Sequence, residues 1–178
     1  MQITITSDNI NQFQNRIFPD VKELVLKVND LGILRNFPNL FKLECCKIGL
    51  TSLDGIEYCE NLEIFLCDEN EITDISPVSK LTYLRHFSCY HNKIQIFHLA
   101  HQNLEKIFCS RNQITSICLL CPNLNELICY DNKLQYLCLR GSPNVIILEC
   151  YNNQLTSLEG ISNCVNMIKL FCDENQIT

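Results

Sequence analysis

The sequence predicts a right-handed superhelical solenoid of about nine short coils, α/β in class but mostly β and 3-10 turns, with a parallel β-sheet on the concave face. Three observations predict it. A frame L-x-x-L-x-C-x-x-N-x-L, carried by Leu124, Leu127, Cys129, Asn132 and Leu134, returns along the chain at intervals of 19 to 22 residues. Its apolar pair two residues apart, as in Leu127 and Cys129, places both side chains on one side of a strand. The segments between frames are roughly ten residues long and are punctuated by Pro38, Pro77, Pro122 and Pro143. That leaves room for extended or 3-10 turns but not for full α-helices.

Taken in order, the coils are anchored at Ile3, Leu24, Leu43, Phe65, Phe87, Ile107, Leu127, Leu148 and Leu170. Two residues after most anchors comes a cysteine: Cys45, Cys67, Cys89, Cys109, Cys129, Cys150 and Cys172. A thiol in such a column behaves as a small buried hydrophobe. The fifth residue after the anchor reads Asp8, Asn29, Ile48, Asn70, Asn92, Asn112, Asn132, Asn153 and Asn175. After each strand the backbone turns and leaves peptide groups without a strand partner. A buried asparagine carries both donor and acceptor, so stacked asparagines can bind those groups and link neighbouring coils. Asp8 lacks the amide donors and Ile48 cannot hydrogen-bond, so the ladder is expected to be imperfect around the third coil. Leu53-Asp-Gly-Ile56 and Leu158-Glu-Gly-Ile161 place a glycine at the same bend of two coils.

The repeats make residues 1–178 one domain rather than two globules. A hydrophobic content of 47 % suffices for a core, and a formal charge of −6 disfavours nucleic acid or an anionic membrane as partner. Neither a secretory signal nor a membrane-spanning run is visible. Thirteen cysteines could indicate a disulfide scaffold. Stacked strands, however, lie about 4.8 Å apart, whereas a disulfide prefers Cβ atoms about 3.8 Å apart. Reduced thiols and a cytoplasmic location are therefore expected.

Leu50 to Glu63 (L-T-S-L-D-G-I-E-Y-C-E-N-L-E) and Asn70 to Leu84 (N-E-I-T-D-I-S-P-V-S-K-L-T-Y-L) resemble the 21–22-residue leucine-rich repeats of internalins and of a regulatory subunit of protein phosphatase 1. The cysteine-for-leucine strand position, with abundant asparagine, is similar to repeats of giant amoeba-infecting viruses and some bacteria. The resemblance covers nearly the whole chain. It implies a leucine-rich-repeat binding scaffold whose partner differs from protein to protein. The chain stops at Gln176-Ile177-Thr178 inside the ninth coil, without a polar closing repeat, which leaves end-to-end self-association open.

Alternation along the strands places Leu66, His86, Tyr90, His91, Phe108, Arg111, Ile128, Tyr130, Tyr151 and Phe171 on the concave face. Clustered aromatic residues of this kind anchor protein interfaces, or else cover the sheet by stacking on each other. Across the concave positions, nine acidic residues outnumber six basic ones, the opposite of a phosphate-tracking groove. Asp68-Glu69 and Asp173-Glu174 repeat one string and are read as a solvated rim. Cys118 and Cys121 have knuckle spacing, but the second such pair that zinc normally needs is missing. No nucleophile–base pair or phosphate loop is present. The sequence thus points to a non-enzymatic scaffold that binds another protein, without metal, cofactor or catalytic residue. A phosphatase-regulating subunit, a self-associating structural protein and a cysteine-based metal or redox protein stand as alternatives.

Overall fold

The computed structural model describes residues 1–178, and the predicted solenoid is found. Its strands, in chain order, are β1 (Gln2–Ile5), β2 (Glu23–Leu26), β3 (Lys42–Glu44), β4 (Ile64–Leu66), β5 (His86–Ser88), β6 (Ile96–Ala100), β7 (Lys106–Phe108), β8 (Ser116–Leu120), β9 (Glu126–Ile128), β10 (Tyr136–Cys138), β11 (Ile147–Glu149) and β12 (Lys169–Phe171). Nine of them form one parallel sheet in the order β1-β2-β3-β4-β5-β7-β9-β11-β12. Anchors stand in register: Leu43 opposite Phe65, Phe65 opposite Phe87, Phe87 opposite Ile107, Ile107 opposite Leu127. A slip by one residue would turn every inward side chain out, so the apolar pattern fixes this register.

The return segments are of two kinds. Short 3-10 turns occupy Ile10–Phe13, Leu31–Asn36, Ile56–Tyr58, Ser76–Lys80 and Glu159–Ile161. Their starts carry local hydrogen bonds: the Asp74 carboxylate accepts from the Ser76 N–H at 2.8 Å, and the Asp30 carboxylate from the Gly32 N–H at 3.0 Å. The fifth, sixth and seventh coils instead return as β6, β8 and β10, a second parallel sheet in the order β10-β8-β6. Ile96-Phe97-His98-Leu99-Ala100 shows why. Phe97 and Leu99 are buried while Ile96, His98 and Ala100 face out, an alternation of period two with no proline or capping acid to bend it.

One continuous apolar core runs between the sheets and under the turns. Cys45, Cys67, Cys89, Cys109, Cys129 and Cys150 are buried in it, and all thirteen cysteines are free thiols. Burial pushes the Cys109 thiol far up and the Cys150 thiol up to about 12, so these sulfurs stay protonated packing groups. No helix is long and apolar enough to cross a membrane.

Seven of the nine bends that end a concave strand have the same device. The residue before the asparagine position is left-handed, at φ between 51° and 60° for Lys47, Glu69, His91, Arg111, Asp131, Asn152 and Glu174. That conformation costs a non-glycine residue about 1–2 kcal/mol, and the asparagine that follows, in every case but Ile48 after Lys47, ties the bend. The Asn112 amide donates to the carbonyls of Cys89 and Cys109 at 3.0 and 3.1 Å, while its oxygen accepts from the Ile94 N–H at 3.0 Å. Asn70, Asn92, Asn132, Asn153 and Asn175 make the same cross-coil bonds. Asn29 does not: it is exposed and donates only to the Gly49 carbonyl, at 2.8 Å. In the first coil Asn9, not Asp8, holds the bend, accepting from the Thr6 N–H and donating to the Thr4 carbonyl.

The two equivalent glycines have different reasons. Gly55 is left-handed at φ 103°. Gly160 is pressed against the preceding coil, where a Cβ would stand 1.7 Å from the Leu137 carbonyl oxygen. Gly160→Ala must push the eighth coil off β10, so a loss of about 2 kcal/mol is expected in chemical denaturation. An unchanged midpoint would show that the coils separate freely there.

Candidate functional site

The concave sheet carries its outward residues in two columns, and their sizes create relief. Ser88 and Ser110 fall among aromatic neighbours and are buried, 4 % and 1 % exposed. They form the floor of a shallow depression of about 430 Å³ walled by Tyr90, Phe108, Ile128 and Tyr130 and by the carboxylates of Asp68, Glu126 and Glu149. No basic side chain lines it.

The rings are set by one another. Tyr130 and Tyr151, on consecutive coils, stack with centroids 4.6 Å apart and planes 6° apart. Phe108 meets His86 edge-on at 4.9 Å, and the Arg111 guanidinium lies 5.6 Å over the Tyr90 ring. Leu66, His86, Tyr90, Phe108, Ile128, Tyr130 and Tyr151 are consequently half-buried, whereas His91, Arg111 and Phe171 are exposed. Phe171 sits on β12, an edge strand, in register beside Glu149 but outside the lining of the depression; its neighbours Ile168 and Leu170 are also exposed. The sequence grouping of all ten residues as one exposed face is thus narrower in the structure: Tyr90, Phe108, Ile128 and Tyr130 converge, and Tyr151 and Arg111 flank them.

Asp68 differs from the solvated rim expected of it. It is half-buried, and its carboxylate accepts from the Ser88 hydroxyl at 2.5 Å and from the Tyr90 N–H at 2.8 Å. Burial pushes its pKa above the usual aspartate value, against the pull of those two donors. Glu126 is paired with Lys106 at 2.7 Å and Asp131 with Arg111 at 3.3 Å, while Asp68 and Glu149 have no cationic partner within salt-bridge distance. Two polar atoms under the rings also lack a partner, the Ser110 hydroxyl and His86 Nε2. Burial, followed by the Lys106 charge, holds His86 below its ordinary pKa, so it is neutral at pH 7.

The Asp68 shift has a checkable sign. A carboxyl whose folded pKa is raised contributes stability that is present at low pH and lost as pH rises through the folded value. Asp68→Asn, which keeps an acceptor without the charge, should therefore gain on the wild type as pH climbs above about 4. Parallel stability curves from pH 3 to 7 would mean that the carboxylate is solvated after all.

Cys118 and Cys121 do not form one site. Cys118 faces out of β8, while Cys121 is buried with its sulfur 3.7 Å from the Leu99 carbonyl oxygen. Sequence reasoning also missed the outer face of the second sheet, where Ile96, Leu120 and Tyr136 are more than half exposed. The alternation in Ser116–Leu120 was the available signal.

Neither a protein-family model nor a curated protein matches the chain. Solved structures do. The chain resembles a leucine-rich-repeat protein of Leptospira interrogans with a TM-score of 0.75 and 23 % identity, over 98 % of this chain and 47 % of that one. It resembles the APL1 leucine-rich repeat domain with a TM-score of 0.76 and 21 % identity, over 98 % and 47 %. Internalin C2 from Listeria monocytogenes is similar with a TM-score of 0.67 and 23 % identity, over 94 % and 75 %. The chain spans about half the length of the first two. At these identities the likeness establishes the leucine-rich-repeat fold and nothing finer.

Proposed function

We propose that this leucine-rich-repeat chain is a non-enzymatic recognition module that binds another protein on its concave sheet, at the depression between Tyr90, Phe108 and Tyr130. The observation that carries this reading is the composition of that depression: aromatic walls, three carboxylates, no cation, and a buried serine hydroxyl with no partner. A free surface of this kind has unmet hydrogen-bonding capacity beside apolar rings, and a partner that covers it supplies both. The chemistry fits a partner that inserts a basic side chain, its methylenes against the rings and its charge toward Asp68 and Glu149. Thirteen free thiols, most of them buried in the core, support a reducing, cytoplasm-like compartment.

The test is capture of the native partner from the source cell by wild type and by Phe108→Ala/Tyr130→Ala. Loss of capture only in the concave variant supports the reading. Loss only in Ile96→Ser/Tyr136→Ser would move the binding face to the second sheet.

A further inference from the structure

Cys118 and Cys138 stand apart from the other cysteines. They are register partners on the adjacent parallel strands β8 and β10. Alternation with the buried Ile117, Leu119 and Leu137 sets both on the outer side of the strands, where Cys118 is half-buried and Cys138 is covered to 8 % exposure. Neither belongs to the continuous apolar core, which takes in nine of the other eleven cysteines.

Spacing decides what such a pair can take. Neighbouring strands hold Cβ atoms near 4.8 Å, longer than the roughly 3.8 Å of a direct disulfide. A bridging metal fits better: side chains that leave neighbouring strands in parallel keep their sulfurs near the strand spacing, and two metal–thiolate bonds of about 2.3 Å, the zinc–sulfur length, span about 4.6 Å. A third ligand is not at hand. His98 stands in register beside Cys118, but its Nε2 is engaged with the Ser116 hydroxyl at 3.1 Å. No group of three or more His, Cys, Asp or Glu residues comes together as a metal cluster. A two-sulfur site fails zinc, which takes four ligands, and suits a soft monovalent ion that accepts two thiolates.

We propose that Cys118 and Cys138 form a two-coordinate site for copper(I) on the outer face of the second sheet. Binding releases the two thiol protons and forms two Cu–S bonds, with no change in oxidation state. The bis-thiolate complex carries one negative charge, which the neighbouring Arg140 cation offsets. The site faces away from the concave depression, so it is independent of the proposed partner-binding face.

The experiment is an anaerobic titration of the reduced full chain with copper(I) in competition with bicinchoninate. One copper per chain should be withheld from the chelator. Cys118→Ser and Cys138→Ser should each abolish that retention, while Cys46→Ser, which removes a half-buried thiol elsewhere in the chain, should leave it intact. Zinc, titrated separately against a colorimetric zinc indicator, should not be retained. Because both thiols lie outside the apolar core and serine is close to cysteine in size, circular dichroism and the unfolding midpoint of the serine variants should match the wild type, which separates loss of ligand from loss of fold. A chain that withholds no copper, or withholds it equally after Cys118→Ser/Cys138→Ser, overturns the proposal; so does zinc held in preference to copper.

Discussion

Replacing Phe108 and Tyr130 together by alanine is expected to abolish capture of the partner protein. Aromatic anchors in an interface commonly contribute about 2 kcal/mol or more each, so the pair accounts for about 4 kcal/mol, close to a thousandfold in affinity. The rings are not free of the fold. Tyr130 stacks on Tyr151 and Phe108 packs against His86, so the variant should also lose about 1–2 kcal/mol of stability. Binding must therefore be measured well below the unfolding midpoint, with titration calorimetry on folded protein. A charge test sharpens the result: Glu149→Lys should weaken the same complex by about tenfold or more if the inserted group is basic. Tighter binding by Glu149→Lys would mean an acidic partner. Normal capture by the folded double variant would place the binding face elsewhere.

Asn112→Ala is expected to be among the most damaging substitutions of the asparagine ladder, at about 2 kcal/mol. The side chain is 8 % exposed and joins two coils by donating to the carbonyls of Cys89 and Cys109 and accepting from the Ile94 N–H. Alanine leaves the Ile94 N–H buried and without a partner, at about 1–3 kcal/mol, and takes one of two donors from the carbonyls of Cys89 and Cys109, which keep the amides of Asn92 and Asn132. It also removes the asparagine's share in holding the bend at left-handed Arg111, whose own N–H still donates to the Tyr130 carbonyl. Asn175→Ala, in the last coil where water reaches the same groups, should cost about 1 kcal/mol. Asn29→Ala should cost less than about 0.5 kcal/mol, because one exposed hydrogen bond is lost. Urea denaturation of the three variants orders them; equal losses would show that cross-coil bonding is not what the ladder contributes.

The second sheet explains why repeat spacing alone was not enough. Coils anchored at Phe87, Ile107 and Leu127 return as strands, and those anchored at Leu43 and Phe65 return as 3-10 turns, although all share one frame. The difference lies in the returns. Asp74 and Pro77 impose a turn, while Ile96 to Ala100 alternates and pairs with Ser116 to Leu120. Pairing needs an extended neighbour, so the choice is made by three consecutive coils together.

By itself, the sequence determined the coil number, the anchors, the inward cysteines and most of the asparagine ladder. Each of these repeats at a fixed spacing, and strand geometry converts spacing directly into which side is buried. It also determined that the concave face is aromatic and acidic. Tertiary structure alone decided which of those residues meet. Tyr90, Phe108 and Tyr130 come from three coils, and only stacking them reveals that Ser88 and Ser110 leave room beneath the rings. Stacking likewise draws Asp68 off the rim by the Ser88 hydroxyl one coil away, and sets Cys118 beside Cys138, twenty residues later in the chain. The physical reason is common to all three. A repeat period states what each coil does alone, whereas a site arises from side-chain sizes and charges on neighbouring coils, which the period leaves free.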